Sequence, residues 1–448
     1  MRTTPPPVAP AAPWSFPAAT EQVLPNGLRV WTYHLPGQQV ITASVAQPIP
    51  LTAEPRDLEG VAVIASRTID EGSREHPGIS FAETLETEGA ELTLHHGYSG
   101  LAVAIDVPAS RFPIALGLLA ESLISPQISD QDIARHAQLR LSEIEQIRAN
   151  GAQLASTRFR SALYADSERL ARMNGGEPAT VAGLTGAAAR DFHAAYYGPE
   201  GATLILAGDF SSIADLPGLI ASAGFADWSG PATRVPLPAA ARAADPARIL
   251  IDRPGAVQAD VRLGAPAIDR ADPRWVPFTV AVHAVGGAFW SRLNRVLREE
   301  RGYTYGVHLA RTAYPHGGQY TFSGSFRTEV TAAAIAEARE LLVLGDQPIT
   351  AEEVATAVNY HAGISPLRYA TAGAVADQAT DQALAGLGPD YLTGFLAALR
   401  EVTPAQATEA YNSLVDVDAA TLVVVGDGDA LTEELRAGGP LQVEPVPT

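Results

Sequence analysis

Cysteine is missing from the 448-residue chain. That one absence excludes disulfides, cysteine-type zinc sites, iron–sulfur clusters and thiol nucleophiles. Lysine is missing as well: all 31 basic residues are arginine. There is thus no P-loop lysine, no Schiff-base lysine and no kinase-type ATP lysine. Positive charge is scarce overall, with 31 basic against 50 acidic residues and a formal charge of -19. Such a chain repels phosphate backbones, and no basic run offsets this, so nucleic acid is not an expected partner. Long apolar runs are lacking too. Nothing approaches the roughly 18 uninterrupted apolar residues that a membrane-spanning helix needs. The Pro/Ala-rich start, Met1 to about Pro17, has no apolar h-region. The expectation is a flexible arm over residues 1–19, no membrane partner and a cytoplasmic location.

What is present is a duplicated body. Hydrophobic residues make up 46% and charged residues 18%, enough apolar material for sizeable cores. The length implies two or three domains. Thr185 to Asp209 reads TGAAARDFHAAYYGPEGATLILAGD, and Thr403 to Asp427 reads TPAQATEAYNSLVDVDAATLVVVGD. They align without a gap at an offset of 218, matching at Thr185/Thr403, Ala202/Ala420, Leu204/Leu422, Gly208/Gly426 and Asp209/Asp427 among others. Each copy has a threonine placed to cap a helix, then an apolar strand and a Gly-Asp turn. Upstream, Ile128 to Ile133 resembles Ile349 to Val354 at an offset of 221, and both open a long helix. A period near 220 is too long for a solenoid and indicates two related domains. They are read as residues 20–225 and 248–440, joined by a Pro/Ala-rich linker over 226–247.

In the first half, strands are expected near residues 27–32, 40–46, 92–94 and 101–107. Helices are expected near 60–69, 80–88, 112–124 and 130–150. Adjacent strands joined by turns imply antiparallel pairing. The fold class is therefore α+β, each half a mixed, largely antiparallel sheet packed with helices, and not a doubly wound parallel sheet.

Leu58 to Pro77 reads LEGVAVIASRTIDEGSREHP. With Gly60, Ala62, Gly72, Ser73 and Pro77 in frame, it resembles the first signature region of the M16 (insulinase, pitrilysin) metallopeptidases, whose helix carries His-x-x-Glu-His. The resemblance runs over roughly residues 20 to 440. It takes in Asn26-Gly27-Leu28-Arg29-Val30, Glu88-Gly89-Ala90, Phe192-His193, Tyr196-Tyr197 and the duplicated layout, and it implies a fold like that of the mitochondrial processing peptidase. The family motif has a geometric reason. Two histidines at i and i+4 share a helical face and bind zinc together, and the glutamate before the second acts as general base on the metal-bound water. Here the three positions are Val63, Ser66 and Arg67. Valine has no lone pair, serine cannot replace the carboxylate base, and arginine stays protonated and repels a metal. The family's third ligand, a glutamate farther along, corresponds to a remnant Glu143. One carboxylate does not make a zinc site, so no catalytic zinc is expected in this chain. The ten histidines do not rebuild one. His95 and His96 are adjacent and point to opposite faces of a strand, no pair has i+4 spacing, and the set reads as scattered surface or core residues.

Val285 to Val307 reads VGGAFWSRLNRVLREERGYTYGV and resembles a second M16 signature. In the family an arginine and a tyrosine here reach from the C-terminal domain towards the substrate, which implies substrate-binding roles for Arg298 and Tyr305. Arginine can clamp a carbonyl or carboxylate, and a tyrosine hydroxyl can donate to the oxyanion of a tetrahedral intermediate. Taken as isolated residues, Arg298 would pair with a neighbouring glutamate and Tyr305 would pack at a strand start. Glu143 and Glu145 read as a solvated helix face, and Arg295 and Arg301 as surface charge. No Gly-x-Gly-x-x-Gly or Walker pattern is present.

The zinc motif is lost and the Arg/Tyr signature is kept. Some bacterial M16 enzymes are heterodimers with this division of labour. The resemblance therefore implies a non-zinc-binding subunit, inactive alone, of a heterodimeric zinc endopeptidase. The partner would carry His-x-x-Glu-His and the zinc, and a peptide substrate would be cut in a closed chamber. The alternative is a catalytically inactive structural or peptide-binding scaffold, since a fold can outlive its chemistry.

Overall fold

A computed structural model of the chain describes residues 14–231 and 235–447. Two six-stranded mixed sheets carry the fold, which is α+β. The first holds β1 (Thr20–Val23), β2 (Arg29–His34), β3 (Val40–Gln47), β4 (Glu91–Gly97), β5 (Gly100–Pro108) and β6 (Thr203–Gly208). The second holds β7 (Arg248–Asp252), β8 (Gln258–Ala267), β9 (Val307–Ala313), β10 (Gly318–Arg327), β11 (Thr421–Gly426) and β12 (Gln442–Pro445). Their orders are β1-β2-β6-β3-β5-β4 and β12-β7-β11-β8-β10-β9.

The repeat in the sequence is a repeat in space. β2 pairs parallel with β6, and β7 pairs parallel with β11. Thr42 sits opposite Ala207 in the first sheet, and Asp260 opposite Val425 in the second, the same pair displaced by 218 residues. The Gly-Asp turns do equivalent work: Gly37 N–H donates to Asp209 Oδ2 and Gly255 N–H donates to Asp427 Oδ2, each at 2.7 Å. Thr185 and Thr403 cap matching helices by accepting from Ala188 N–H and Gln406 N–H. The symmetry stops at one edge, where β1 runs antiparallel to β2 but β12 runs parallel to β7.

One long helix of the first half was not foreseen. Asn150 ends the helix Asp130–Ala149 and immediately caps another, Gly151–Leu163, by accepting from Gln153 N–H at 3.0 Å. This second helix packs across β8 and β11, in the other half. Its counterpart Ala372–Leu384 packs across β3 and β6. The two sheets therefore exchange a covering helix. The central strands β6 and β11 are buried at every position. Leu204 and Leu206 belong to one core and Ile205 and Ala207 to the other. That burial on both faces is why these strands read as continuous apolar runs.

The expected flexible arm lies outside the described residues up to position 13. From Trp14 onward it is docked, which corrects the expectation. Trp14 stacks on Tyr369 at 5.8 Å, and Phe16, 4% exposed, meets Tyr33 and Tyr369 edge-on. Two aromatic rings bury enough area to hold a short segment in place. In the Pro/Ala-rich stretch before β7, Trp228 is buried, and Ala243 N–H donates to the Leu163 carbonyl at 3.0 Å. Among the described residues no helix is long and apolar enough to cross a membrane.

Candidate functional site

Packing sets the short helix Val61–Ser66, since all six of its side chains are buried. Its N-cap, Gly60, has φ of 105°, and a Cβ there would meet the Gly175 carbonyl oxygen at 2.7 Å, so only glycine begins the helix without strain. The Gly60 and Ala62 N–H groups donate to Glu54 Oε1, each at 2.9 Å. Glu54 also accepts from Arg169 Nε at 2.8 Å, and Arg169 donates to the Met173 and Asn174 carbonyls at 3.0 and 2.7 Å. Beside them Arg172 forks onto Glu59 through two bonds of 2.6 Å.

His96 holds the other side of the helix. Its ring nitrogens lie 3.1 Å from the Ala62 carbonyl and 2.8 Å from the Ile49 carbonyl. Burial pushes the imidazole down to about 4, against the pull of those carbonyls. Unfolding returns it to about 6.5. Between these values the unfolded chain takes up a proton that the folded chain refuses, so acidification destabilises the fold. Stability is expected to fall from pH 6.5 towards pH 4, and His96→Gln to flatten that dependence. Urea midpoints at pH 7 and pH 5 for both proteins check this.

Arg67 and Glu143 meet directly, through bonds of 2.8 and 3.1 Å, and Arg140 adds a third at 3.1 Å. Glu143 is therefore not simply part of a solvated helix face. Burial acts to raise its carboxyl, but the two guanidinium groups outweigh that and hold it below the usual range. Glu145, in contrast, is exposed and pairs with Arg148 at 2.9 Å. Ser66 Oγ donates back to the Val63 carbonyl at 2.8 Å, and Val63 is buried and apolar. These groups do not fit zinc. The lone carboxylate is already engaged by two cations, and no neutral nitrogen stands at either histidine position. Among the described residues no cluster of three or more histidine, aspartate and glutamate side chains is arranged to hold a metal ion.

The second candidate pair lies on the segment between Gly287 and β9. Anchors fix this segment from below. Arg292 forks onto Glu353 with two bonds of 2.7 Å. Asn294 donates to the Ala288 and Val307 carbonyls and accepts from Val307 N–H at 2.9 Å. Thr304 Oγ1 donates to the Ser325 carbonyl at 2.8 Å. Asn294 is the positioning residue that sequence reasoning missed. An asparagine within a helical stretch, thirteen residues before a strand, gives no signal of bonding to that strand. The backbone over Arg295–Glu300 winds in wide, π-type turns, a geometry often found at functional sites.

Aromatic side chains stand clear of these anchors: Phe289 is 60%, Trp290 72% and Tyr305 98% exposed. Tyr305 does not pack at the strand start. The Arg298 guanidinium lies 4.0 Å over the Phe289 ring and 3.4 Å from Glu299. Such exposed aromatics beside an arginine have the composition of a contact surface. No hydrogen bond or ion pair among the described residues joins the Arg67–Glu143 group to Arg298 or Tyr305. They occupy different halves of the chain.

Two family models match the chain: "Insulinase (Peptidase family M16)" over residues 34–174 and "Peptidase M16 inactive domain" over residues 183–360. Together they span well over half of it. Among curated relatives, an uncharacterized zinc protease of Streptomyces coelicolor is 23% identical over 85% of this chain and 84% of its own length. An uncharacterized zinc protease of Mycobacterium tuberculosis is 25% identical over 69% of this chain and 70% of its own. Among solved structures, a peptidase M16 inactive domain from Pseudomonas fluorescens superimposes with a TM-score of 0.83 at 23% identity, covering 91% of this chain and 98% of its own. A protease from Helicobacter pylori does so with a TM-score of 0.81 at 16% identity, over 92% of this chain and all of its own.

Proposed function

The chain belongs to the M16 (insulinase) peptidase family, and we propose that it serves there as the non-zinc-binding half of a two-chain zinc endopeptidase. The observation that carries this reading is Tyr305, held out to solvent on an anchored segment that also carries Arg298, in a chain whose own ligand positions are closed by Arg67 and Glu143. A second M16 chain bearing His-x-x-Glu-His would hold the zinc, which supplies the activated water and polarises the scissile carbonyl. This chain's part is grip and charge stabilisation. Arg298 binds a peptide carbonyl or carboxylate. The Tyr305 hydroxyl donates to the oxygen on which negative charge develops as the carbonyl becomes tetrahedral. The zinc proteases among its relatives and the M16 inactive domain among its structural neighbours support the reading at the level of family and fold.

The test is purification of the tagged chain from its own cells, with mass spectrometry and zinc analysis of what co-elutes. A near-stoichiometric second chain bearing His-x-x-Glu-His, with about one zinc per pair, is the expected result. A metal-free monomer or homodimer would sink the proposal and leave a scaffold.

A further inference from the structure

A solvent-open cavity of about 400 Å³ lies in the second half, lined by the stretch from Trp275 to Gly287, by β9, and by the helices Ala351–Arg368 and Tyr391–Arg400. Its volume is that of a small-ligand site. Its charge is the reverse of the chain's. The chain carries 50 acidic and 31 basic residues, yet no carboxylate lines this cavity, and Arg270, Arg311, Arg368, His283, His308 and His361 do.

The arginines are not neutralised. Among the described residues none of the three makes an ion pair with a carboxylate within 4.0 Å. Asp381 feels the charge of Arg270 but does not line the cavity. Arg311 is the most deeply placed. Its Nε donates to Thr279 Oγ1 at 2.7 Å, and its guanidinium lies 4.8 Å from the Trp275 ring centroid. Neither partner carries a negative charge. Burial pushes this guanidinium down to about 10, and Arg270 pushes the same way, as expected of a cation that lacks a counter-ion. An unpaired buried charge is costly. Nearby, His361 Nε2 is buried without a hydrogen-bond partner among the described residues, and its ring meets His283 at 5.0 Å. That nitrogen is sealed from the cavity, so the arginines are the polar groups that a ligand there could reach. A metal cation is disfavoured, because three guanidinium groups would repel it.

We propose that this cavity binds an oxyanion group, a carboxylate or a phosphate. Arg311 and Arg270 pair with its charge, and Trp275 and Phe395 pack against whatever carries it. Charge-assisted bonds to these half-buried guanidinium groups supply the affinity. Gly287 and His308, which line the cavity, flank the segment that bears Arg298 and Tyr305, so an occupant sits at the base of that segment. The proposal concerns this chain alone and does not depend on a partner subunit.

Isothermal titration of the purified full-length chain at low ionic strength tests it. The probes are sodium phosphate, a short apolar peptide with a free C-terminal carboxylate, and the same peptide as its amide. One site per chain is expected for phosphate or for the free acid, and none for the amide. Heat with phosphate would assign the group as phosphate, and heat with the acid alone would assign it as carboxylate. Arg311→Gln and Arg270→Gln are each expected to weaken binding about tenfold or more, while Arg436→Gln, on a different helix, leaves it unchanged. Should Arg311→Gln fail to fold, the half-buried Arg270 carries the test. No binding of any probe at millimolar concentration, equal binding of acid and amide, or binding that neither substitution weakens would overturn the proposal.

Discussion

Tyr305→Phe, introduced into the proposed two-chain enzyme once it is reconstituted, is expected to lower kcat by about 10²–10³-fold, the usual loss on removing one oxyanion donor. KM should change much less, because the hydroxyl acts when charge develops and contributes little to ground-state binding. The substitution is a clean one. The side chain is 98% exposed, so the chain itself loses almost nothing, and stability should stay within about 0.5 kcal/mol. Arg298→Ala is expected to act on KM as well, since the role proposed for that residue is to grip substrate. Its interpretation must allow for the contact with Phe289 at 4.0 Å and the ion pair with Glu299 at 3.4 Å. The double variant should lose less than the product of the single losses if both groups act on one transition state. Steady-state kinetics on a peptide substrate decides the matter. Unchanged rates in both variants would mean that the pair is only architectural.

Arg169→Met is expected to cost about 3–5 kcal/mol, the penalty for stranding one member of a buried ion pair. A domain has only about 5–15 kcal/mol to lose. Arg169 and Glu54 are both almost wholly hidden. Removing the guanidinium leaves the Glu54 carboxylate with the Gly60 and Ala62 N–H groups alone and takes away the Arg169 bond to the Asn174 carbonyl. Burial pushes the Glu54 carboxyl up even with Arg169 beside it. A raised carboxyl means that the folded chain holds its proton more tightly than the unfolded one. The deficit of the variant should therefore shrink as pH falls and be largest at neutral pH. Urea denaturation at pH 7.5 and pH 5.5 checks both the size and the sign. The helix that begins at Gly60 is expected to be the first element to lose protection from hydrogen exchange.

Much of the fold could be read from the sequence because local physics fixed it. The threonine caps and Gly-Asp turns at an offset of 218 are short-range devices, and they recur in space as they recur in the chain. Val63, Ser66 and Arg67 were singled out by the M16 resemblance, and they fall within one helical turn or so. What Arg67 does instead was not legible. Its bond to Glu143 spans 76 residues: the M16 resemblance puts the two at ligand positions of one site, but it does not say that they bond to each other. The histidines show the same limit. His283, His308 and His361 look scattered along the chain, yet a wide turn, a strand and a helix carry them to one cavity. The covering helix Gly151–Leu163 escaped notice because Asn150-Gly151 reads as a stop, although the asparagine there ends one helix and starts the next.

The exchange of covering helices bears on how the chain is made. A ribosome delivers the first sheet complete once β6 has emerged, near residue 208. Its outer face stays bare until the helix Ala372–Leu384 follows, more than 160 residues later. Over that interval Ile205 lacks the covering helix, and Tyr33 has Phe16 against it but not Tyr369 or the rest of the second core. Exposed apolar strands of this kind invite chaperones or aggregation. The first half cannot finish folding during its own synthesis, and it waits on the translation of the second.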